Sequence, residues 1–96
     1  MAKLILVIDD GAEQRRFLER TLSAAGYRVV TAPDGESGSA AARSLLPDLI
    51  ILDMGMPGMG GVGFLKAITR VDGKLTHPVL VLTARANMAE FFATVD

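Results

Sequence analysis

Three runs of consecutive apolar residues dominate the pattern of the chain: Leu4–Ile8, residues 49–52 and Val79–Leu82. None of them alternates with polar residues, which is typical of strands covered on both faces of a parallel sheet. Longer amphipathic stretches separate the runs, as in βα units wound around such a sheet. The pattern therefore predicts an α/β fold with a doubly wound parallel sheet.

Element boundaries follow from this pattern. We predict four strands, and the less apolar second one is expected at an edge: Leu4–Ile8, residues 28–31, residues 48–52 and Val79–Leu82. The first helix is predicted over residues 12–25. Its apolar face should carry Phe17, Leu18, Thr21, Leu22 and Ala25, and its outer face Arg15, Arg16 and Glu19.

Three further helices are predicted. Asp34 can cap a second helix, which must end before Pro47. A third is expected over residues 62–70, before the turn at Asp72 and Gly73. The spacing of Met88, Phe91, Phe92 and Val95 begins a fourth amphipathic helix.

Composition narrows the class of protein. The 96 residues predict one domain, residues 1–96, and 50% apolar with 22% charged residues is an ordinary globular composition. A net charge of -1 offers no basic face for nucleic acid or an anionic membrane. There is no cysteine, and the first apolar run is too short for a signal peptide, so we expect a cytoplasmic protein.

Polar residues follow each of the three apolar runs. Asp9 and Asp10 follow the first, Asp53 the second and Thr83 the third, so they should meet at the carboxyl edge of the sheet, where open α/β folds bind ligands. Carboxylates ~4 Å apart repel by about 4 kcal/mol per pair at an effective dielectric constant near 20, so a cation is expected among them. Oxygen ligands favour Mg²⁺, with the Gly55 carbonyl and water completing its shell.

The predicted chemistry is phosphoryl transfer. With a metal present, Asp53 is a plausible nucleophile toward an activated phosphate, and the product would be an aspartyl phosphate. The Thr83 hydroxyl can donate to a phosphoryl oxygen, and Ala84 beside it is small enough to leave room.

These residues, taken together, resemble the receiver domain of two-component response regulators. The resemblance rests on the Asp9-Asp10 pair, the Asp-Met-Gly-Met-Pro turn at residues 53–57, Gly61, and Leu-Thr-Ala at residues 82–84. It covers essentially the whole chain and implies the flavodoxin-like strand order 2-1-3-4-5.

The resemblance also implies residue roles. Asp53 would take a phosphoryl group from the phosphohistidine of a histidine kinase or phosphotransfer protein. Asp9 and Asp10 would hold Mg²⁺, and Thr83 would sense the phosphoryl group. Such a domain is not an enzyme with an external substrate, because it catalyses only its own phosphorylation and dephosphorylation.

The end of the sequence departs from that family. Receiver domains continue with a fifth strand, whose lysine pairs with the phosphoryl group, and a fifth helix, and this sequence has neither. We therefore expect order 2-1-3-4 and an incomplete C-terminus. Lys3, Lys66 and Lys74 do not substitute, since none of them is expected beside the aspartates at the carboxyl edge of the sheet. Unless the sequence is a piece of a longer protein, the fourth strand would be an exposed edge, which predicts a homodimer through it or by swapped elements.

Two other functions remain open on the sequence. The chain could be a phosphorylation-incompetent receiver that acts as a protein-interaction module. It could also be a metal-dependent phosphatase with an aspartyl nucleophile, as in haloacid dehalogenase-like enzymes, but those carry a second acid where Gly55 stands.

Several other features favour structural roles. Residues 58–63 fit the G-x-G-x-x-G pattern, but they follow the third strand and no acid lies about 20 residues on, so we interpret the glycines as turn and packing residues. His77 is assigned to structure or solvent. Met54, Met56 and Met59 are assigned to turn packing.

Overall fold

The computed structural model describes residues 2–56 and 60–82. The elements are β1 (Leu4–Ile8), α1 (Ala12–Ala24), β2 (Arg28–Ala32), α2 (Gly35–Leu45), β3 (Leu49–Asp53), α3 (Gly60–Ala67) and β4 (Val79–Leu82). The predicted fourth helix, Met59, Thr83 and Ala84 lie outside the described residues.

The four strands form one parallel sheet in the order β2-β1-β3-β4. Val7 lies in register with Thr31 on one side and Ile51 on the other, and Asp53 is in register with Leu82. The predicted parallel sheet, its strand order and the edge position of β2 are confirmed. The bounds of β1 and β4 match the prediction, while β3 begins and ends one residue later, so Asp53 is its last residue.

The core lies on both faces of the sheet. Leu6, Ile8, Ile50 and Leu52 pack with Ala42 of α2 and Phe64 of α3 on one face. Ile5, Val7 and Ile51 pack against Leu18 and Leu22 of α1 on the other. Strands with apolar side chains on both faces explain why these sequences show no polar alternation.

The prediction for α1 is wrong at four positions: Thr21 and Ala25, expected on the apolar face, are exposed, and Phe17 and Arg15 also differ. Phe17, expected on the apolar face, is 63% exposed, and no residue of α1 is fully buried. Arg15, expected on the outer face, is half-buried. Only Leu18 and Leu22 are packed against the smaller core cluster, so the buried face of this helix is narrower than its apolar pattern indicates.

The ends of α2 are as the sequence predicts. Asp34 Oδ1 accepts a hydrogen bond of 2.7 Å from the Ser37 backbone N–H, and the same oxygen accepts one from the Ser37 hydroxyl. These bonds lower the pKa of the Asp34 carboxyl. Leu46 ends the helix in the left-handed conformation, with φ 50°, directly before Pro47.

The third helix begins earlier than predicted, at Gly60 instead of residue 62, and ends at Ala67 instead of residue 70. Gly61 is buried against Met54, and Met56 belongs to the core. The assignment of Gly61, Met54 and Met56 to packing roles is therefore confirmed.

Hydrogen bonds connect separate segments at the amino ends of the strands. The Leu4 backbone N–H donates to Asp48 Oδ2 at 2.8 Å, and the Asp48 N–H donates to the Leu4 carbonyl at 2.8 Å. His77 Nδ1 lies 3.1 Å from the Pro47 carbonyl oxygen, so this nitrogen carries the proton and donates. The structural assignment of His77 is confirmed.

Candidate functional site

Three aspartates meet at the carboxyl ends of the central strands. Asp9 and Asp10 directly follow β1, and Asp53 ends the neighbouring β3. One carboxylate oxygen from each lies within 4.8 Å of the others, and the side chains range from buried (Asp9) to exposed (Asp10). The convergence predicted for these three residues is confirmed, and we refer to them as the acidic rim.

Local hydrogen bonds orient two of these carboxylates. Asp9 Oδ1 accepts from the Gly11 backbone N–H at 2.8 Å, and Asp53 Oδ1 accepts from the Gly55 N–H at 3.0 Å. Both bonds span two residues, as aspartate side chains commonly do in turns. Each of these bonds uses Oδ1. Within the described residues, the second oxygen of each carboxylate therefore stays available to bind a ligand such as a cation.

Burial and like charge both act on Asp9, which is only 8% exposed. Burial, more than any other factor, raises the pKa of its carboxyl; the Gly11 hydrogen bond opposes this, and the nearby charges of Asp53 and Asp10 raise it further. A bound cation would relieve the repulsion, so the acidic rim fits a hard, oxygen-preferring ion by its donor set and by its electrostatics.

Arg15 lies beside the acidic rim, which the sequence did not predict. Its Nη1 donates a 2.7 Å hydrogen bond to the backbone carbonyl of Asp9, and its positive charge partly opposes the rise in the pKa of the Asp9 carboxyl. Helical side chains point toward the amino end of their helix, and Arg15 stands in the first turns of α1, so its long stem reaches back to the end of β1. The position of Arg15 in the first turns of the helix was the only sign in the sequence that it could reach the end of β1. Helical periodicity alone places Arg15 on the outer face.

Gly61, in the first turn of α3, packs directly against Met54 in the turn that follows Asp53. A Cβ added at this position would lie 2.8 Å from Met54 Cα, and it would also contact the Met54 side chain. The first turn of α3 can therefore approach the residue next to Asp53 only because position 61 has no side chain.

The other predicted site residues have mixed outcomes. Gly55 lies in the turn beside Asp53, as expected. Thr83 and Ala84 follow β4, the neighbour of β3, but lie outside the described residues, so their contacts with phosphate remain predictions. No helix in the described part of the chain is long and apolar enough to span a membrane.

Comparison with known proteins agrees with this arrangement of fold and acids. The family model for the response regulator receiver domain matches residues 5–96. The chain belongs to this family. The resemblance to receiver domains stated from the sequence motifs is therefore confirmed.

This receiver domain is similar in sequence to parts of longer proteins that have different names. It is 40% identical over 93 residues to the transcriptional regulatory protein KdpE of Mycobacterium tuberculosis, covering 97% of this chain and 40% of that protein. It is 39% identical over 94 residues to protein-glutamate methylesterase/protein-glutamine glutaminase 6 of Anaeromyxobacter dehalogenans, covering 96% of this chain and 26% of that protein. The chain thus spans less than half the length of these relatives.

Solved structures show the same fold. The chemotaxis protein CheY4 of Vibrio cholerae superposes with a TM-score of 0.84 at 34% identity, covering 96% of this receiver domain and 77% of that chain. The flavodoxin-like α/β fold predicted from the sequence is confirmed.

Proposed function

We propose that this receiver domain is a cytoplasmic phosphoacceptor switch. Asp53 takes a phosphoryl group from the phosphohistidine of a histidine kinase or phosphotransfer protein. The observation that carries the proposal is the acidic rim, where three carboxylate oxygens lie within 4.8 Å of one another around the end of β3. A rim of acids with no cysteine and no histidine suits Mg²⁺ better than a softer metal.

The proposed reaction is a displacement at phosphorus. A carboxylate oxygen of Asp53 forms a bond to phosphorus while the bond to the donor breaks, which is P–N in phosphohistidine and P–O in acetyl phosphate. The leaving group departs with the bonding electrons, and an acyl phosphate results. Asp53 Oδ1 already accepts the Gly55 hydrogen bond at 3.0 Å, which fixes the direction from which its second oxygen attacks.

The cation would be held by Asp9, Asp10 and Asp53 together with the Gly55 carbonyl. It would neutralise charge on the phosphoryl oxygens as the bond forms. Thr83, through its hydroxyl, and Ala84, through its small size, are proposed to contact the phosphoryl group from the end of β4. As a receiver, the domain would catalyse only its own phosphorylation and dephosphorylation.

The deciding experiment is intact-mass spectrometry after incubation with Mg²⁺ and acetyl phosphate. We expect one labile phosphoryl adduct, which should disappear in Asp53→Asn and after chelation of Mg²⁺. Asp72→Asn is the matched control, since Asp72 is an exposed aspartate paired with Arg70. An unmodified wild-type protein that still binds Mg²⁺ would contradict the proposal and would favour a module that acts through contacts alone.

We also propose that two copies associate through β4. Within the described residues, β4 pairs only with β3, and its Leu80 side chain is 51% exposed. An apolar strand at a sheet edge is a template for pairing with another chain. Sedimentation should show a dimer that Leu80→Lys weakens and Val71→Lys does not, because Val71 is exposed but lies outside the sheet. A monomer at all concentrations would rule this out.

A further inference from the structure

The charge of the acidic rim presents a difficulty for an anionic substrate. Three carboxylates carry a formal charge of −3, and a divalent cation leaves −1. A phosphodonor such as acetyl phosphate arrives as an anion, so it meets a net repulsion even after the cation has bound. A further positive charge near the acidic rim would cancel this net repulsion of the phosphodonor.

Arg15 supplies a positive charge at this place. Its guanidinium is hydrogen-bonded at 2.7 Å to the carbonyl of Asp9, so it lies within about one Debye length, ~8 Å at physiological salt, of the carboxylate of the same residue. In the described ranges, no other arginine or lysine forms a hydrogen bond or ion pair with the three acids. Arg15 is half-buried, whereas the adjacent Arg16 is exposed.

The effect of Arg15 should come through its charge more than through the position of Asp9. Two other contacts already fix Asp9: its backbone N–H donates to the Ala32 carbonyl at 3.1 Å, and its Oδ1 accepts from Gly11 at 2.8 Å. Losing the Arg15 hydrogen bond would leave both in place.

We propose that Arg15 is the charge-balancing residue of the acidic rim, where it weakens binding of the divalent cation and strengthens binding of the anionic phosphodonor. The proposal rests on the function proposed above. Arg15 acts through the electrostatic field of its guanidinium and does not itself touch the reacting atoms. Its removal must therefore tighten Mg²⁺ binding and slow the reaction with the anionic phosphodonor, whereas loss of a purely structural contact would weaken Mg²⁺ binding and slow the reaction as well.

The test combines two measurements on one set of variants. Calorimetric titration gives the Kd for Mg²⁺, and intact mass against time gives the second-order rate constant with acetyl phosphate at saturating Mg²⁺. The set is wild type, Arg15→Gln, Arg15→Met, Arg15→Lys and Arg16→Gln. Each is measured at low and high salt, with circular dichroism to verify folding.

For Arg15→Gln and Arg15→Met we expect Mg²⁺ binding to tighten about three- to tenfold and the rate constant to fall by about the same factor. Both differences should shrink at high salt, because screening weakens them. Arg15→Lys keeps the charge and should stay near wild type. Arg16→Gln, which removes an exposed charge with no hydrogen bond among the described residues, should change either quantity less than about twofold.

Weaker Mg²⁺ binding in folded Arg15→Gln, or no change in either quantity, would overturn the proposal. A wild-type protein that forms no adduct would overturn the proposed function instead. The Mg²⁺ titration would then still decide the role of Arg15, because it needs no phosphorylation.

Discussion

Gly61→Ala is predicted to slow phosphorylation about tenfold in a domain that still folds. The added methyl carbon would lie 2.8 Å from Met54 Cα, where carbon atoms ordinarily stay about 3.5–4.0 Å apart. The neighbour is backbone, so it cannot escape by changing a rotamer. Either the first turn of α3 moves, or Met54 moves and carries Asp53 with it.

The expected magnitudes follow from this overlap. Overpacking of a well-packed site costs about 1–3 kcal/mol, and replacing glycine by alanine inside a helix returns about 1 kcal/mol. The net loss in the free energy of unfolding is thus about 0–2 kcal/mol, or up to roughly 10 °C in Tm for a domain of this size. A misplacement of about 1 Å can cost ~100-fold in rate, so a shift of roughly half that should slow phosphorylation about tenfold.

The assay is the rate of adduct formation with acetyl phosphate, measured beside thermal unfolding. Gly60→Ala is the matched control, because Gly60 has a φ of 68° and nothing lies within 4 Å of its added Cβ. Gly60→Ala should lower the free energy of unfolding by about 1–2 kcal/mol through backbone strain, without contacting Met54. The reasoning fails if Gly61→Ala is phosphorylated at the wild-type rate, or if Gly60→Ala slows the reaction equally.

Three further predictions concern stability. Hydrogen bonds from Ser37 hold the pKa of Asp34 below its ordinary value of 3.8, so this cap stabilises the fold above that pH and loses its effect as the pH falls through the lower folded value. Asp34→Asn keeps a capping oxygen that does not titrate, so acid titrations followed by circular dichroism should show similar stability near pH 7 but a shallower acid limb; an unchanged limb would contradict this. Phe64→Ala should cost about 3–5 kcal/mol in urea unfolding, because Phe64 is 0% exposed, while Phe17→Ala at 63% exposure should stay within about 0.5 kcal/mol; equal losses would refute the core assignment. Leu46→Gly should raise Tm, because it relieves the φ of 50° at an exposed helix end, and a lower Tm would show that the Leu46 side chain matters more than its strain.

The sequence predicted the strands better than the helices. Strands covered on both faces must be apolar at every position, so the bounds of β1 and β4 could be taken directly from the apolar runs. The start of α3 was missed because the glycines at 60, 61 and 63 have low helix propensity, and tertiary packing against Met54 overrides it.

The acidic rim could be predicted because strand ends of a parallel sheet meet at one edge whatever the details of packing. The exposure of Phe17 and the inward position of Arg15 could not. Periodicity shows which side of a helix is apolar, but the width of its buried face depends on what packs there. The direction of a long arginine stem likewise depends on a carbonyl acceptor that only the assembled fold provides.

The two ends of the sheet carry different kinds of hydrogen bond. At the amino ends, Leu4 and Asp48 bond reciprocally and His77 joins the entry of β4 to Pro47. At the carboxyl ends, in the described part of the chain, the Asp9 and Asp53 side chains accept hydrogen bonds from the Gly11 and Gly55 N–H groups of their own turns. Substitutions that weaken the hydrogen bonds at the amino ends should therefore lower the stability of the fold without displacing the acidic rim at the opposite end of the sheet.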